Sequence, residues 1–194
     1  MQTDSIRDLI ESASHDMFNP ELNFYIAKKY EELEQAASAV SFYLRAAEYG
    51  YDTHPLTAYT SLLRISIIFQ NQGDRNHTVT NTLFQAIAYL PDRPEAYFLL
   101  SRFYEQSASW QESYSYACLG LFYSNKKVEP LKAYVDYPDT YVLEFEKAVS
   151  GWWLGRKDES MDLFFKLYNL PNIQDMYKNA VIGNIKRINP AAQI

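Results

Sequence analysis

The residue types that most often carry out catalysis or bind metals are few in this chain. Its three histidines, His15, His54 and His77, lie on different segments, so the sequence groups no two of them into a zinc site or a catalytic pair. The single cysteine, Cys118, lies in the apolar stretch YSYACLGLFY, where a small buried residue is its expected role. The chain has neither a Gly-x-Ser-x-Gly elbow nor a glycine-rich phosphate loop. We therefore expect no catalytic residue, no metal site and no cofactor.

Trp152 and Trp153 are the next residues of interest, because an exposed indole ring can stack against a sugar. Adjacent residues on a helix point about 100° apart. One ring can therefore face the core while the other faces a neighbouring helix or the solvent. We expect packing to be their main role, and a sugar-stacking platform would need an exposed ring.

The composition is that of a folded protein with an acidic surface. Hydrophobic residues make up 47% of the 194 residues, and 17 Tyr and 11 Phe make the chain rich in aromatic rings. The formal net charge is −6, and the best basic cluster, Lys126-Lys127, is a single pair close to Glu129. A protein that binds phosphate backbones needs a larger basic surface, so we expect no nucleic-acid partner.

No apolar stretch is long enough to span a membrane. The first residues, MQTDSIRDLIESASHD, carry charges throughout and lack the apolar centre of a signal peptide. The sequence therefore predicts a cytoplasmic protein.

Two amphipathic helical patterns follow each other between Phe24 and Gly50, and both place small residues on one face. The spacings of three and four residues define one stripe on each helix. The stripe residues are Ile26, Ala27 and Tyr30 on the first helix, and Ala39, Tyr43 and Ala46 on the second. Small residues at these points let the two helices cross closely, and Gly50 ends the second helix.

This helix pair recurs three more times, with Ala39, Val79, Ser113 and Ser160 at matching positions. The interval from Val79 to Ser113 equals the period of about 34 residues of a tetratricopeptide repeat. The longer intervals indicate insertions, chiefly 124–140, which contains two prolines and is predicted to have no regular structure.

We therefore expect an all-α protein, a tetratricopeptide-like superhelix of about four helix-turn-helix pairs plus a capping helix. It would form a single domain over 1–194. The predicted repeats cover approximately 20–51, 58–91, 94–125 and 140–171, and the capping helix covers approximately 174–188.

The order of the segments also resembles one known family. The residues that carry the likeness are Arg64, the segment PDRPEAYFLLSRFYE from Pro91 to Glu105, Tyr141, Gly155 and Glu159-Ser160. From about Asn19 to Ile188 the chain resembles the helical-repeat region downstream of the catalytic domain in family 2 glycosyltransferases of bacteria and phages. The resemblance implies a helical repeat with a place in glycan synthesis.

The chain departs from that family by lacking the catalytic half. Such a transferase needs a strand-rich nucleotide-binding fold and an Asp-x-Asp-like motif, whose divalent cation neutralises the diphosphate leaving group. Asp136-Tyr137-Pro138-Asp139 has the wrong spacing, and no strands precede it. The resemblance therefore implies an accessory region or companion of a glycosyltransferase rather than the enzyme.

Repeat solenoids commonly bind partners on a concave surface, here predicted to be lined by the first helix of each pair. The equivalent positions on this face are Phe24 and Lys28, Leu63 and Ile67, and Phe98 and Arg102. An aromatic residue followed four positions later by a cation suits an extended acidic or aromatic peptide. The alternative is a solvated face whose cations lie next to Glu31 or Glu105.

The leading hypothesis is a non-catalytic interaction domain that positions a glycosyltransferase, its acceptor or another protein partner. Two alternatives stay open. One is a stand-alone tetratricopeptide adaptor that binds a peptide segment of an unrelated protein. The other is a saccharide-binding module that uses exposed aromatic residues.

Overall fold

The computed structural model of the protein describes residues 6–124 and 129–190. Within these residues the chain forms ten α-helices and no β-strand. The helices are α1 (Ile6–His15), α2 (Pro20–Glu32), α3 (Ala36–Gly50), α4 (Pro55–Gln72), α5 (Asn76–Tyr89), α6 (Glu95–Gln106), α7 (Trp110–Tyr123), α8 (Tyr141–Trp153), α9 (Lys157–Tyr168) and α10 (Asp175–Ile188). The all-α prediction is confirmed. Helix α1 is an addition that the sequence pattern does not predict, and none of its residues is buried.

The described residues divide into two compact units. Of the described residues, unit 1 comprises 6–91 and 129–135, and unit 2 comprises 92–124 and 136–190. Unit 1 contains the pairs α2–α3 and α4–α5, and unit 2 contains α6–α7, α8–α9 and the final helix α10. Within each unit the first helices of successive pairs also touch, α2 with α4 and α6 with α8. Four pairs and a final helix are therefore present, while a single domain over 1–194 stays a prediction.

Small side chains lie where the two helices of each pair cross. The matching positions Ala39, Val79, Ser113 and Ser160 are all buried. Across the α6–α7 crossing, the Ser101 hydroxyl donates a hydrogen bond of 2.8 Å to the backbone carbonyl of Ser113. Side chains of this size let the backbones approach, and the hydroxyl gains a partner inside the core.

Two glycines of unit 2 mark the closest approaches. A Cβ atom added to Gly120 of α7 would lie 2.7 Å from Cδ2 of Leu143 on α8 and 3.1 Å from Cβ of Tyr97 on α6. A Cβ added to Gly151 of α8 would lie 3.0 Å from the Ser160 hydroxyl on α9. Neither position has room for a side chain unless its neighbours move.

Three of the four pairs turn with the same backbone motif. In each, the second residue after the first helix has a positive φ, and the N–H of the following residue donates to the carbonyl five positions back. The residues with positive φ are Glu34 (φ 58°), Ala108 (φ 56°) and Gly155 (φ 81°). The hydrogen bonds run from the N–H of Gln35 to the carbonyl of Tyr30, from Ser109 to Tyr104 and from Arg156 to Gly151, and each is 2.9 Å long. This is the Schellman arrangement, which satisfies carbonyls that the helix end leaves without a partner.

The insertion predicted at 124–140 has no helix or strand over its described residues from Glu129 to Thr140. The prediction of irregular structure is confirmed for these residues. Residues 125–128, which include the Lys126-Lys127 pair, lie outside the described part of the chain.

Ala108→Gly should stabilise the protein by about 0.5–1 kcal/mol. The alanine Cβ disfavours the left-handed conformation, and the gain is partly offset because glycine has more freedom in the unfolded chain. Gly155→Ala, at the same position of an equivalent turn, should destabilise it by about 1 kcal/mol. No atom lies within 4 Å of the Cβ added at Gly155, so its effect is purely conformational. Urea denaturation measures the free energy of unfolding of both variants, and changes of the same sign in the two would contradict this account.

Candidate partner-binding face

Arg64 of α4 is the centre of a polar network in unit 1. Its guanidinium donates two hydrogen bonds to the carboxylate of Glu31 on α2, through Nη2 and through Nε at 3.2 Å. The Tyr43 hydroxyl of α3 donates to the same carboxylate at 2.8 Å. Nη1 of Arg64 donates to the backbone carbonyl of Tyr134 at 2.6 Å. The Arg64 guanidinium therefore links α4 to α2 and to the insertion, and the Tyr43 hydroxyl connects α3 to the same network.

The protonation of this network follows from its burial and its charges. Burial, with the negative charge of Glu31, raises the pKa of Tyr43 well above its usual range. Burial acts to lower the pKa of Arg64, but the hydrogen bond and charge of Glu31 outweigh it and raise that pKa. Tyr43 is therefore a neutral donor and Arg64 a permanent cation.

A shallow cleft of about 360 Å³ opens beside Arg64. It is lined by Lys28, Glu31, Glu32, Arg64, Ala133 and Tyr134. Part of the insertion lies against the same helices. The Lys132 N–H donates to the Thr60 hydroxyl at 3.4 Å, and Lys132 Nζ lies 3.6 Å from Glu21. Ala133 packs against the hydrophobic core formed by α2, α3 and α4. The face formed by α2 and α4 is thus partly covered by the chain itself.

The predicted face residues fall into two groups by burial. The apolar members Phe24, Leu63, Ile67 and Phe98 are 9% exposed or less and form the core beneath the face. The cations Lys28 and Arg102 are half-buried and reach solvent. The charged members are therefore the ones open to a partner, and their role in binding stays a prediction.

Sequence reasoning did not select Arg64 or Glu31 as members of this face. Arg64 stands one position after Leu63, among apolar and hydroxyl residues of α4. A lone charge in such a helix must find a partner, because burying an unpaired charge is costly. That signal points to a paired Arg64, although the sequence does not identify the partner.

Arg102 of α6, which matches Lys28 and Ile67 in the repeat register, is the centre of a second cluster in unit 2. Its Nη2 lies 3.2 Å from Oδ2 of Asp136, and its guanidinium lies 5.4 Å from the ring centre of Phe98. The ring of Tyr137 packs against Phe98 with centres 5.7 Å apart. Burial raises the pKa of Tyr137 to about 12. The cation and the aromatic ring of α6 thus meet an acid and an aromatic ring from the insertion.

Glu146 of α8 is a buried acid near Arg102, and it is 3% exposed. Burial, with the charge of Glu105, raises its pKa to about 8, while the charge of Arg102 acts in the opposite direction. Burial and the charge of Glu146 also raise the pKa of Tyr177 on α10. Among the described residues, Oε2 of Glu146 has no hydrogen-bond partner. Glu146 therefore holds its proton at neutral pH.

The two adjacent tryptophans point in different directions, as their spacing predicts. Trp153 is 60% exposed and stacks on Trp110 of α7, with ring centres 5.3 Å apart and planes 16° from parallel. Trp152 is half-buried beneath Lys157, whose Nζ lies 5.4 Å from the ring centre. The exposed ring that a sugar platform requires is therefore present.

The described residues contain neither a candidate metal cluster nor a candidate membrane-spanning helix. No group of three or more His, Cys, Asp or Glu side chains is placed to hold a metal ion. Within the same residues, no helix combines the length and apolar character needed to cross a membrane.

Comparison with known proteins places the fold among tetratricopeptide-repeat proteins. A structure of MamA from residue 41 to the end, from Desulfovibrio magneticus RS-1, aligns with a TM-score of 0.63 at 14% identity, covering 88% of this chain and 85% of that one. A crystal structure of MamA protein aligns with a TM-score of 0.59 at 15% identity, covering 97% of this chain and 86% of that one. TTC0263, a thermophilic TPR protein in Thermus thermophilus, aligns with a TM-score of 0.58 at 12% identity, covering 93% and 88%.

The chain therefore has an all-α tetratricopeptide-like fold, as its repeat pattern predicts. At identities of 12–15% this similarity shows the fold alone. No protein-family model matches the sequence, and no curated protein sequence matches it. None of these comparisons supports the resemblance to glycosyltransferases, which stays a prediction.

The buried Glu146 should make stability depend on pH. Its pKa is near 4.5 unfolded and about 8 folded, so the folded state binds more protons between these values. The stabilisation is therefore complete below about pH 4.5 and is lost as the pH rises through about 8. We expect the free energy of unfolding to fall more steeply from about pH 5 to about pH 8 in the wild type than in Glu146→Gln.

Urea denaturation at several pH values measures this slope. Glu112→Gln, an exposed position on α7, is the matched control and should keep the wild-type slope. A Glu146→Gln slope equal to that of the wild type would contradict the assignment.

Proposed function

We propose that this chain is a non-catalytic interaction domain that binds an extended peptide segment of a partner protein. Each unit has its own face for such a segment, formed by first helices of the pairs: α2 and α4 in unit 1, and α6 in unit 2. The observation that carries the proposal is Arg102 of α6, a cation whose side chain is 24% exposed and which lies over the ring of Phe98, where Tyr137 of the insertion packs. A carboxylate and an aromatic side chain can bind such a pair together.

The geometry of unit 1 supports the same kind of ligand. The cleft beside Arg64 offers Lys28 and Arg64 as donors, with the carboxylates of Glu31 and Glu32 at its border. Arg64 already donates to a main-chain carbonyl, that of Tyr134. A donor that binds main-chain carbonyls suits an extended peptide, whose backbone groups have no internal partners.

Selection from a phage-displayed library of random decapeptides tests this proposal. The purified chain should enrich peptides that combine an acidic and an aromatic residue, because Arg102 offers a charge beside the Phe98 ring. The double variant Lys28→Glu, Arg102→Gln should enrich these peptides at least about tenfold less, the effect of losing about 1.4 kcal/mol of binding free energy.

Lys186→Glu, which changes an exposed cation on α10, is the matched control and should select the same peptides as the wild type. Circular dichroism checks that all variants keep their helices. A selection without a consensus, or one that the double variant leaves unchanged, would refute peptide binding at these faces.

A narrower proposal is that the chain accompanies a glycosyltransferase in glycan synthesis. It is supported by the ordered sequence resemblance and by one structural feature, the exposed Trp153 stacked on Trp110. A flat exposed indole can stack on the apolar face of a sugar ring, much as amphipathic rings serve at other binding surfaces. A saccharide acceptor would give such a ring a role beyond packing.

Titration with bacterial oligosaccharides, followed by tryptophan fluorescence, tests the sugar contact. We expect a saturable change in the wild type that is lost in Trp153→Ala, because that substitution removes the exposed ring. Trp152→Phe, at the half-buried neighbour, should keep the response. Flat titrations across the oligosaccharides would remove the saccharide proposal and leave peptide binding in place.

A further inference from the structure

The insertion already occupies part of the proposed binding faces. In unit 1 its residues Lys132 and Tyr134 contact α4 through their backbone N–H and carbonyl groups. In unit 2 its residues Asp136 and Tyr137 contact α6 through their side chains. Contacts through backbone groups accept many sequences, whereas side-chain contacts select particular residue types. The contacts of Asp136 and Tyr137 on α6 are therefore selective for an acid and an aromatic ring.

The pairing on α6 matches an acid with a cation and an aromatic ring with an aromatic ring. The Asp136 carboxylate neutralises the Arg102 guanidinium, and the Tyr137 ring lies against the Phe98 ring at an interplanar angle of 55°. The sequence pattern predicts an acidic or aromatic partner peptide, and these two residues supply both kinds of side chain. Two neighbouring residues of the insertion therefore have the properties expected of a ligand.

Three features make this contact suitable for exchange. The Asp136–Arg102 pair is partly open to water, with the side chains 48% and 24% exposed, so solvent weakens the ion pair. Asp136 has a φ of 59°, a left-handed conformation that is uncommon for residues with a side chain, although Asp adopts it more readily than most. The described insertion has no helix or strand to hold it in place. A competing peptide could make the same contacts from an extended backbone.

We propose that Asp136-Tyr137 is a resident ligand of α6, and that the partner is an extended peptide in which an acidic residue directly precedes an aromatic residue. The partner binds by displacing this dipeptide from Arg102 and Phe98. This inference rests on the proposed function and adds both the residue pattern of the ligand and a self-blocked state. Val135, which is 2% exposed in unit 1, anchors the insertion on the N-terminal side of the exchanging residues.

A peptide with the chain's own sequence LKAYVDYPDT, residues 131–140, labelled with fluorescein, is the probe. Fluorescence anisotropy measures its affinity for the wild type and for an opened variant, Asp136→Asn, Tyr137→Ala. We expect at least about tenfold tighter binding to the opened variant, because apparent affinity falls with the fraction of chains whose site is free. Adding Arg102→Gln to the opened variant should abolish this gain.

A control peptide with Asn-Ala in place of Asp-Tyr should bind neither protein. If circular dichroism shows that the opened variant loses its helices, the single variant Asp136→Gly replaces it. Glycine accepts the left-handed angle and removes only the carboxylate. Equal affinity of the LKAYVDYPDT probe for the wild type and a folded opened variant would overturn the resident-ligand proposal.

The library-selected peptides separate this inference from the proposed function. Selected peptides that bind the wild type and the opened variant equally, but fail to bind Arg102→Gln, would leave peptide binding standing and remove the resident ligand. Failure of the probe and of every selected peptide on all these proteins would remove both.

Discussion

The close crossing of the two helices within each pair is the constraint on which the rest of the structure depends. At the crossing of α2 and α3 the small Ala39 is fully buried, and the aromatic Tyr43 is buried one turn further along. Its ring packs edge-on against the Phe24 ring, with ring centres 5.5 Å apart, and its hydroxyl donates a hydrogen bond to Glu31. The polar network around Arg64 is therefore positioned by the apolar packing below it. A small residue at the crossing thus sets the geometry of a charged group on the surface.

If the proposed function holds, the charged residues of these faces contribute more to specificity than to stability. The Arg64–Glu31 pair is about one-fifth exposed on each side, and desolvation offsets much of its attraction. What the bidentate geometry provides is a fixed direction for the remaining guanidinium N–H groups. In unit 2, Arg102 is held between an ion pair and an aromatic ring. Both cations are oriented, and an oriented cation loses less side-chain entropy when it binds a ligand.

The helix pairs were predictable because their signal is local. Small residues at spacings of three and four predict which positions are buried, and Ala39, Ser113 and Ser160 are buried. Helix α1 was not predictable from this signal, because it buries no residue and so shows no stripe against a core. The contacts of the candidate site were not predictable either. The sequence shows the cation and ring of α6, but the contact of Asp136 with Arg102 depends on the path of an irregular segment.

The contacts of the insertion have a consequence for the order of folding. Within the pairs, hydrogen bonds such as Tyr43 to Glu31 and Ser101 to Ser113 close loops of only 12 residues. The hydrogen bonds of the insertion with Thr60 and Arg64 join residues that are 72 and 70 positions apart in sequence. Long loops cost more entropy to close, and contacts distant in sequence form slowly. We expect the helix pairs to assemble first and the insertion to settle on α2 and α4 last. A newly made chain would then present this face uncovered before it folds completely.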